Sequence, residues 1–321
     1  QSPKQLQRRT LRKTSNGLGF FVLAYFLIMQ QVAVVISGIL RGTGIVTKES
    51  ENVYLFFLQI IAGVASSLVA VLFYRLISHR RLSADILIPM IAVGMGAAML
   101  ANQLAALFDQ NISLFELKNT VSMSTETQSV PEIILYIVST AIAPAFAEEL
   151  AFRGVFMNIM RRYGDAFAII TSAVVFGAMH GNTTQIIFAF VLGLIFAFVD
   201  CKANSIVPSV IIHFLNNFYA VTSDIVSNNT DWNTGTLDAI RIAIIAVFCL
   251  LGILAYLYLA KRDARFFTVT DQDSGSIAET SYLSLKEKFM VCFTSPGIIV
   301  SLSVFTLEMI LNLLPKDSLE T

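Results

Sequence analysis

Long apolar stretches separated by polar breaks recur along the chain. The first three run from about Gly17 to Leu40, Val53 to Ile77 and Asp85 to Phe108. Each is close to the ~20 residues that cross about 30 Å of hydrocarbon at about 1.5 Å per residue. A polar, Ser/Thr-rich loop from Asp109 to Val130 follows, and Pro131 suits the first turn of a fourth, unusually long helix reaching about Met160. Arg161 to Asp165 predicts a hairpin into a fifth span, Ala166 to about His180. The turn from His180 to Thr184 leads to a sixth, Gln185 to Val199, and Asp200 to Ser205 turns back into a seventh, Ile206 to about Val221. Such short, tightly connected spans pack as antiparallel neighbours. After a polar loop, an eighth span covers Leu237 to Ala260, a polar connector with the composition of a partly disordered segment follows, and a ninth runs from about Pro296 to Leu314.

The pattern predicts an all-α, polytopic transmembrane helix bundle of about nine spans with its functional core in spans four to seven. It divides into 1–130, a basic tail and three flanking spans; 131–223, the core; and 224–321, the last spans with the connector at 261–295. Composition sharpens this: 55% hydrophobic and 14% charged residues, with a mean hydropathy of +0.71, exclude an ordinary soluble domain. The first apolar run is too long for a signal-peptide core and no small-residue cleavage site follows it, so it reads as a retained span.

Lys plus Arg equals Asp plus Glu at 22 each, which gives no signal for a nucleic-acid partner. The expected partners are the lipid bilayer and a membrane-associated peptide or protein. Position matters more than balance. Sixteen Lys and Arg residues fall on one side of the nine-span arrangement and five on the other, so the positive-inside rule puts the N-terminus in the cytoplasm. Cys201, Cys249 and Cys292 lack CxxC spacing and read as apolar fillers, with no disulfide framework or zinc finger.

One cluster breaks the apolar pattern. Glu148, Glu149 and Arg153 lie in the middle of the fourth span, where an ionisable group costs about 2.5 to 3.5 kcal/mol on insertion scales and is a functional-site candidate by default. At about 100° per residue, Glu148 and Glu149 point in different directions, while Arg153 returns to the azimuth of Glu149. Glu149 and Arg153 are thus expected to pair, leaving Glu148 to face another helix as a candidate general base. A structural ion-pair knot between helices is the plainer alternative.

Of the three histidines, His79 lies beside Arg80 and Arg81 in an expected cytoplasmic loop and receives no role. His180 ends the fifth span with Phe176 four residues before it, and His213 lies in the seventh with Asn217 four residues after it. Counted from the hairpin near Tyr163, Glu148 and His180 rise roughly 22 and 25 Å; counted from Ser205, His213 and Asn217 rise roughly 12 and 18 Å. These levels overlap near mid-bilayer.

A carboxylate, two imidazoles and a carboxamide at one level suit attack of an activated water on an amide carbonyl. Glu148, helped by His180, takes the proton; His213 and Asn217 donate to the oxyanion. Glu149 and Arg153 support the site or hold a substrate carboxylate. No cofactor is expected. The competing chemistry is a catalytic zinc on Glu148, His180 and His213, although the compact His-Glu-x-x-His arrangement is absent. A non-catalytic scaffold or immunity protein that binds a peptide in the same pocket is the alternative from another class. A transporter is weaker, because no span carries paired Gly/Pro interruptions.

Glu148-Glu149-x-x-x-Arg153, Phe176-x-x-x-His180 and His213-x-x-x-Asn217, in that order on successive spans, resemble the motif set of the CPBP family of CAAX proteases and bacteriocin-processing enzymes, also called Abi. The resemblance covers about Pro131 to Tyr219, and Asn204-Ser205-Ile206-Val207-Pro208 resembles the family's approach to its third motif. It implies a glutamate-type intramembrane endopeptidase with Glu148 and His180 activating water and His213 and Asn217 forming the oxyanion hole. Metal dependence stays open within the family. The resemblance further implies CAAX processing, peptide or bacteriocin maturation or self-immunity, with the style of the flanking spans closer to the bacterial branch and its cell membrane.

Overall fold

The computed structural model describes residues 2–44, 50–73, 83–113, 117–119, 129–269 and 280–315. Within them the chain is a bundle of ten helices: α1 Pro3–Gly42, α2 Glu51–Phe73, α3 Ala84–Ser113, α4 Val130–Tyr163, α5 Asp165–Ala178, α6 Thr183–Ala203, α7 Val207–Asn229, α8 Thr234–Arg262, α9 Leu285–Phe293 and α10 Pro296–Leu311. Two three-residue strands, β1 Leu117–Asn119 and β2 Leu313–Pro315, pair antiparallel and join the end of α3 to that of α10. The fold class is all-α.

A helix coincides with each of the nine apolar stretches, but not every one meets the requirements of a span alone. Six described helices are long and apolar enough to cross a bilayer, or seven if α9 and α10, bent by 68°, count as one. The expected count of nine is therefore not reproduced. The 14-residue α5 rises only about 21 Å at 1.5 Å per residue. Polar His213, Asn216, Asn217 and Asp224 lower the hydropathy of α7. Both are held inside the bundle, where neighbours replace lipid.

Two other expectations change. The basic N-terminal tail is helical and continuous with the first span, because Ser2 and Gln5 form a capping box and Pro3 takes the first turn. The connector after Lys261 is ordered at its far end, where Ser284 and Glu287 cap α9 in the same way. Its residues 270–279, together with His79 and the basic loop around Arg75, Arg80 and Arg81, lie outside the described residues.

Close helix approach sets the frame around α4. Asn16 and Ser301 stitch α1 to α10: the Gly297 amide donates to Asn16 Oδ1 at 2.7 Å and Ser301 Oγ to the Gly19 carbonyl at 2.8 Å. Glycine makes this possible, since a Cβ on Gly19 would lie 2.2 Å from the Gly297 carbonyl carbon. On the far side of α4, Asp200 ends α6 and accepts from the Ser209 amide at 3.0 Å and its hydroxyl at 2.6 Å, which fixes the first turn of α7. Asn204, left-handed at φ 48°, closes α6 and accepts from Arg161 at 2.8 Å. His213 is thereby held one turn beyond Ser209 at a height set by α4 and α6.

Gly19→Ala is expected to force α1 and α10 apart at a cost of about 1–3 kcal/mol or more. Gly38→Ala, on the same helix with nothing within 4 Å of its added methyl, is expected to be neutral or stabilising by up to about 1 kcal/mol. Thermal unfolding of the two variants in detergent measures the difference.

Candidate active site

The charged cluster sits where α4 changes its winding. Residues Ala143–Glu149 are α-helical, and Val138–Ile142 before them and Leu150–Met157 after them are π-helical. Such π segments open a helix by one residue per turn and recur at functional sites. Glu149 and Arg153 still meet one turn apart, with Arg153 Nη1 donating to Glu149 Oε1 at 3.0 Å and both side chains fully buried. Arg153 Nη2 donates to the Gly193 carbonyl of α6 at 3.3 Å. Its guanidinium also lies 4.3 Å from the centroid of Phe176 and 5.2 Å from that of Phe196.

His213 of α7 enters the same cluster. Its Nδ1 lies 2.8 Å from Glu149 Oε1, and its Nε2 is 4.0 Å from Glu148 Oε2. The two carboxylates, about 100° apart on the helix, therefore flank opposite nitrogens of one imidazole. Phe196 stacks on that ring at 5.2 Å. The azimuth argument placed Glu149 against Arg153, and the structure adds His213 as a second partner that no spacing within α4 reveals.

His180 lies just past α5, in the turn to α6. Its Nδ1 is 2.8 Å from the Phe176 carbonyl, which only accepts, so Nδ1 carries the proton and Nε2 is the basic nitrogen of the neutral ring. The Phe176 ring meets it edge-on at 4.9 Å, and Gly181, with φ +57°, supplies the reversal that follows. The structure records no hydrogen bond or ion pair between His180 and Glu148.

Asn217 Nδ2 donates to the Thr140 carbonyl in the first π segment at 3.1 Å. Its Oδ1 accepts from Asn216 at 3.4 Å, and Asn216 Oδ1 accepts from Asn102 of α3 at 3.1 Å. Asn216 and Asn102 were missed from the sequence. Their signal was there, as carboxamides inside apolar spans, but only the i,i+4 relation of Asn217 to His213 was read. Phe196 carried no signal, being one of many phenylalanines in its span.

Among the described residues, three buried atoms of the cluster, Glu148 Oε2, Glu149 Oε2 and Arg153 Nε, find no hydrogen-bond partner. Leaving such an atom unmet costs about 1–3 kcal/mol, and more when it is charged, so each of the three is a position where a bound polar group would be stabilised. Among the described residues no three His, Cys, Asp or Glu side chains converge as a metal-ligand set. The alternative set Glu148, His180 and His213 is not drawn together, and no step below passes through a metal.

Fold and cluster together define an integral membrane protein with an ionisable site enclosed by its helices. Residues 130–219 match the family model described as type II CAAX prenyl endopeptidase Rce1-like, and this segment carries Glu148, Glu149, Arg153, His180, His213 and Asn217. Comparison with curated proteins and with solved structures returns no match.

Replacing Arg153 by Leu leaves the Glu149 carboxylate buried beside a single partner, and breaking a buried pair in this way costs about 3–5 kcal/mol. Asp238→Asn, which breaks the exposed pair with Arg241 at 3.2 Å, is expected to change stability by less than about 1 kcal/mol. Denaturation of both variants in detergent, followed by circular dichroism, checks the contrast.

Proposed function

We propose that the cluster is the active site of an intramembrane endopeptidase that hydrolyses a peptide bond of a membrane-associated peptide or protein with activated water. The observation that carries this reading is the unpartnered, buried Glu148 Oε2 beside His213 Nε2, within an Rce1-like segment. Glu148, helped by the basic Nε2 of His180, takes a proton from water as its oxygen bonds to the carbonyl carbon. His213 and Asn217 donate to the oxyanion.

The tautomer of His213 bears on its role. With Nδ1–H given to Glu149, an N–H donor at Nε2 requires the imidazolium. Two carboxylates, one guanidinium and one imidazolium then sum to zero charge, the balance favoured in a low-dielectric interior. Glu149 and Arg153 thus act as the support that orients His213. Phe176 acts twice, through its carbonyl on His180 and its ring on Arg153. The mechanism we propose uses no metal or other cofactor.

By the name of the matched family, a peptide ending in a prenylated CAAX motif is the substrate class to test first. Bacteriocin or other peptide maturation and self-immunity are the further roles within the reading. The proposed orientation has the N-terminus in the cytoplasm of a bacterial cell membrane. Contacts of Thr14 with Tyr163 at 3.1 Å, Lys288 with the Tyr163 carbonyl and Lys202 with that of Thr268 at 2.7 Å gather the basic segments at one end of the bundle, in support of it. A scaffold or immunity protein that binds a peptide without cleaving it is the competing reading.

Glu148→Gln is expected to abolish processing while expression and membrane insertion persist. Mass spectrometry of membrane peptides from cells carrying wild type or Glu148→Gln would show the product only in the former; full biological activity of the variant would favour the scaffold. Purified protein is expected to keep its activity in chelator. Loss on chelation with recovery on adding zinc would overturn the metal-free mechanism.

A further inference from the structure

A cavity of about 240 Å³ opens between α3, α6 and α8. Met90, Val93 and Ala97 of α3, Ile195 and Phe198 of α6 and Phe267 beyond α8 are among its lining residues, all of which are apolar. From Met90 to Ala97 it runs about 10 Å along α3 at about 1.5 Å per residue. On α6, Phe198 points about 200° away from Phe196, the ring that stacks on His213. The helix therefore stands between the cavity and the proposed active site. Ile253, Leu254 and Leu257 of α8 are exposed, so this side of the bundle faces lipid.

The end of the cavity at Phe267 is basic. Lys202, one turn past Phe198 on α6, has its Nζ 5.9 Å from the centroid of that ring and donates to the Thr268 carbonyl at 2.7 Å. The Thr268 amide donates to the Arg265 carbonyl at 3.0 Å, closing a turn that carries Phe266 and Phe267. Phe267 stacks on Phe198 at 6.1 Å and lies 4.5 Å from Tyr256 of α8. Lys202, Lys261, Arg262 and Arg265 thus gather at this mouth. Facing them are Asp85, paired with Arg262, and Asp263, which accepts from the Arg265 amide at 2.9 Å. Asp200 is buried and turned to Ser209. Four cations against two exposed carboxylates leave the mouth positive.

We infer that this cavity is a binding site for an anionic phospholipid, with one acyl chain between α3 and α6 and the phosphate on Lys202 and Arg265. The shape and charge choose the occupant. An apolar slot on the lipid-facing side that ends in a cluster of cations matches the two ends of such a lipid, and basic pockets between membrane helices hold anionic headgroups in this way. The lipid of a substrate is not placed here, because α6 separates the cavity from Glu148 and His213. A chain in the slot packs the back of the helix whose front carries Phe196. The site is independent of the peptidase reading, so either can fail without the other.

The test uses the full chain in detergent and native mass spectrometry, with phosphatidylglycerol and phosphatidylcholine of identical acyl chains as probes. Wild type is expected to retain phosphatidylglycerol in preference to phosphatidylcholine. Lys202→Gln combined with Arg265→Gln is expected to weaken that retention on the order of 10-fold, and Ala97→Phe, which fills the slot, to weaken it as well. Arg241→Gln, near the opposite end of α8, is expected to leave it unchanged. Equal retention of the two lipids, or of neither, overturns the inference, and so does undiminished retention in Ala97→Phe. Displacement of phosphatidylglycerol by a farnesylated peptide would assign the cavity to substrate and also overturn it. Should Ala97→Phe fail to fold, Tm decides: added phosphatidylglycerol is expected to raise it in wild type and not in the Lys202/Arg265 double variant, and an equal rise in both overturns the site.

Discussion

The carboxylate of Glu149 holds the interior of this bundle together. One oxygen accepts from Arg153 on its own helix and from His213 on α7, in surroundings where none of the three side chains has water to fall back on. A charge in hydrocarbon is tolerated when its partners are fixed, and much of the fold serves to fix them. Arg153 is braced by the Gly193 carbonyl and by two phenyl rings; His213 is braced by Phe196 and by the Asp200 cap on the start of α7. Glu148, one residue away, is left facing the other nitrogen of the same imidazole without a hydrogen bond of its own. Adjacent carboxylates of the same chemical type thus become different groups because one is saturated and its neighbour is not.

The winding of α4 contributes to that difference. Its two π segments flank the α-helical turn that carries Glu148 and Glu149, and the first presents the Thr140 carbonyl that receives Asn217. A chain of carboxamides, Asn102 to Asn216 to Asn217, then reaches from α3 to α4 across α7. Sites of this kind depend on polar groups held at set distances by apolar packing, and the close approach of α1 to α10 at Gly19 and Gly297 shows how little slack the packing allows. The matched segment, residues 130–219, therefore acts within a frame that it does not itself supply. Asn102 comes from outside it.

The sequence alone determined that the chain is a helical membrane protein, because long apolar runs leave no other way to satisfy the backbone in hydrocarbon. It also singled out the charges within those runs, because an ionisable group at that depth is too costly to be incidental. Helical periodicity was enough to pair Glu149 with Arg153, since both lie on one element. It could not decide how many helices cross alone: α5 is short and α7 polar, and only burial among neighbours makes either tenable. Nor could it show that the basic N-terminal residues continue α1.

What tertiary structure decided was every relation between elements. The bond from His213 to Glu149, the stacking of Phe196 and the carboxamide chain all join residues on different helices. Periodicity fixes azimuth and height within one helix, but the rotation of one helix against another is set by side-chain packing and close glycine contacts, which are properties of the assembled bundle.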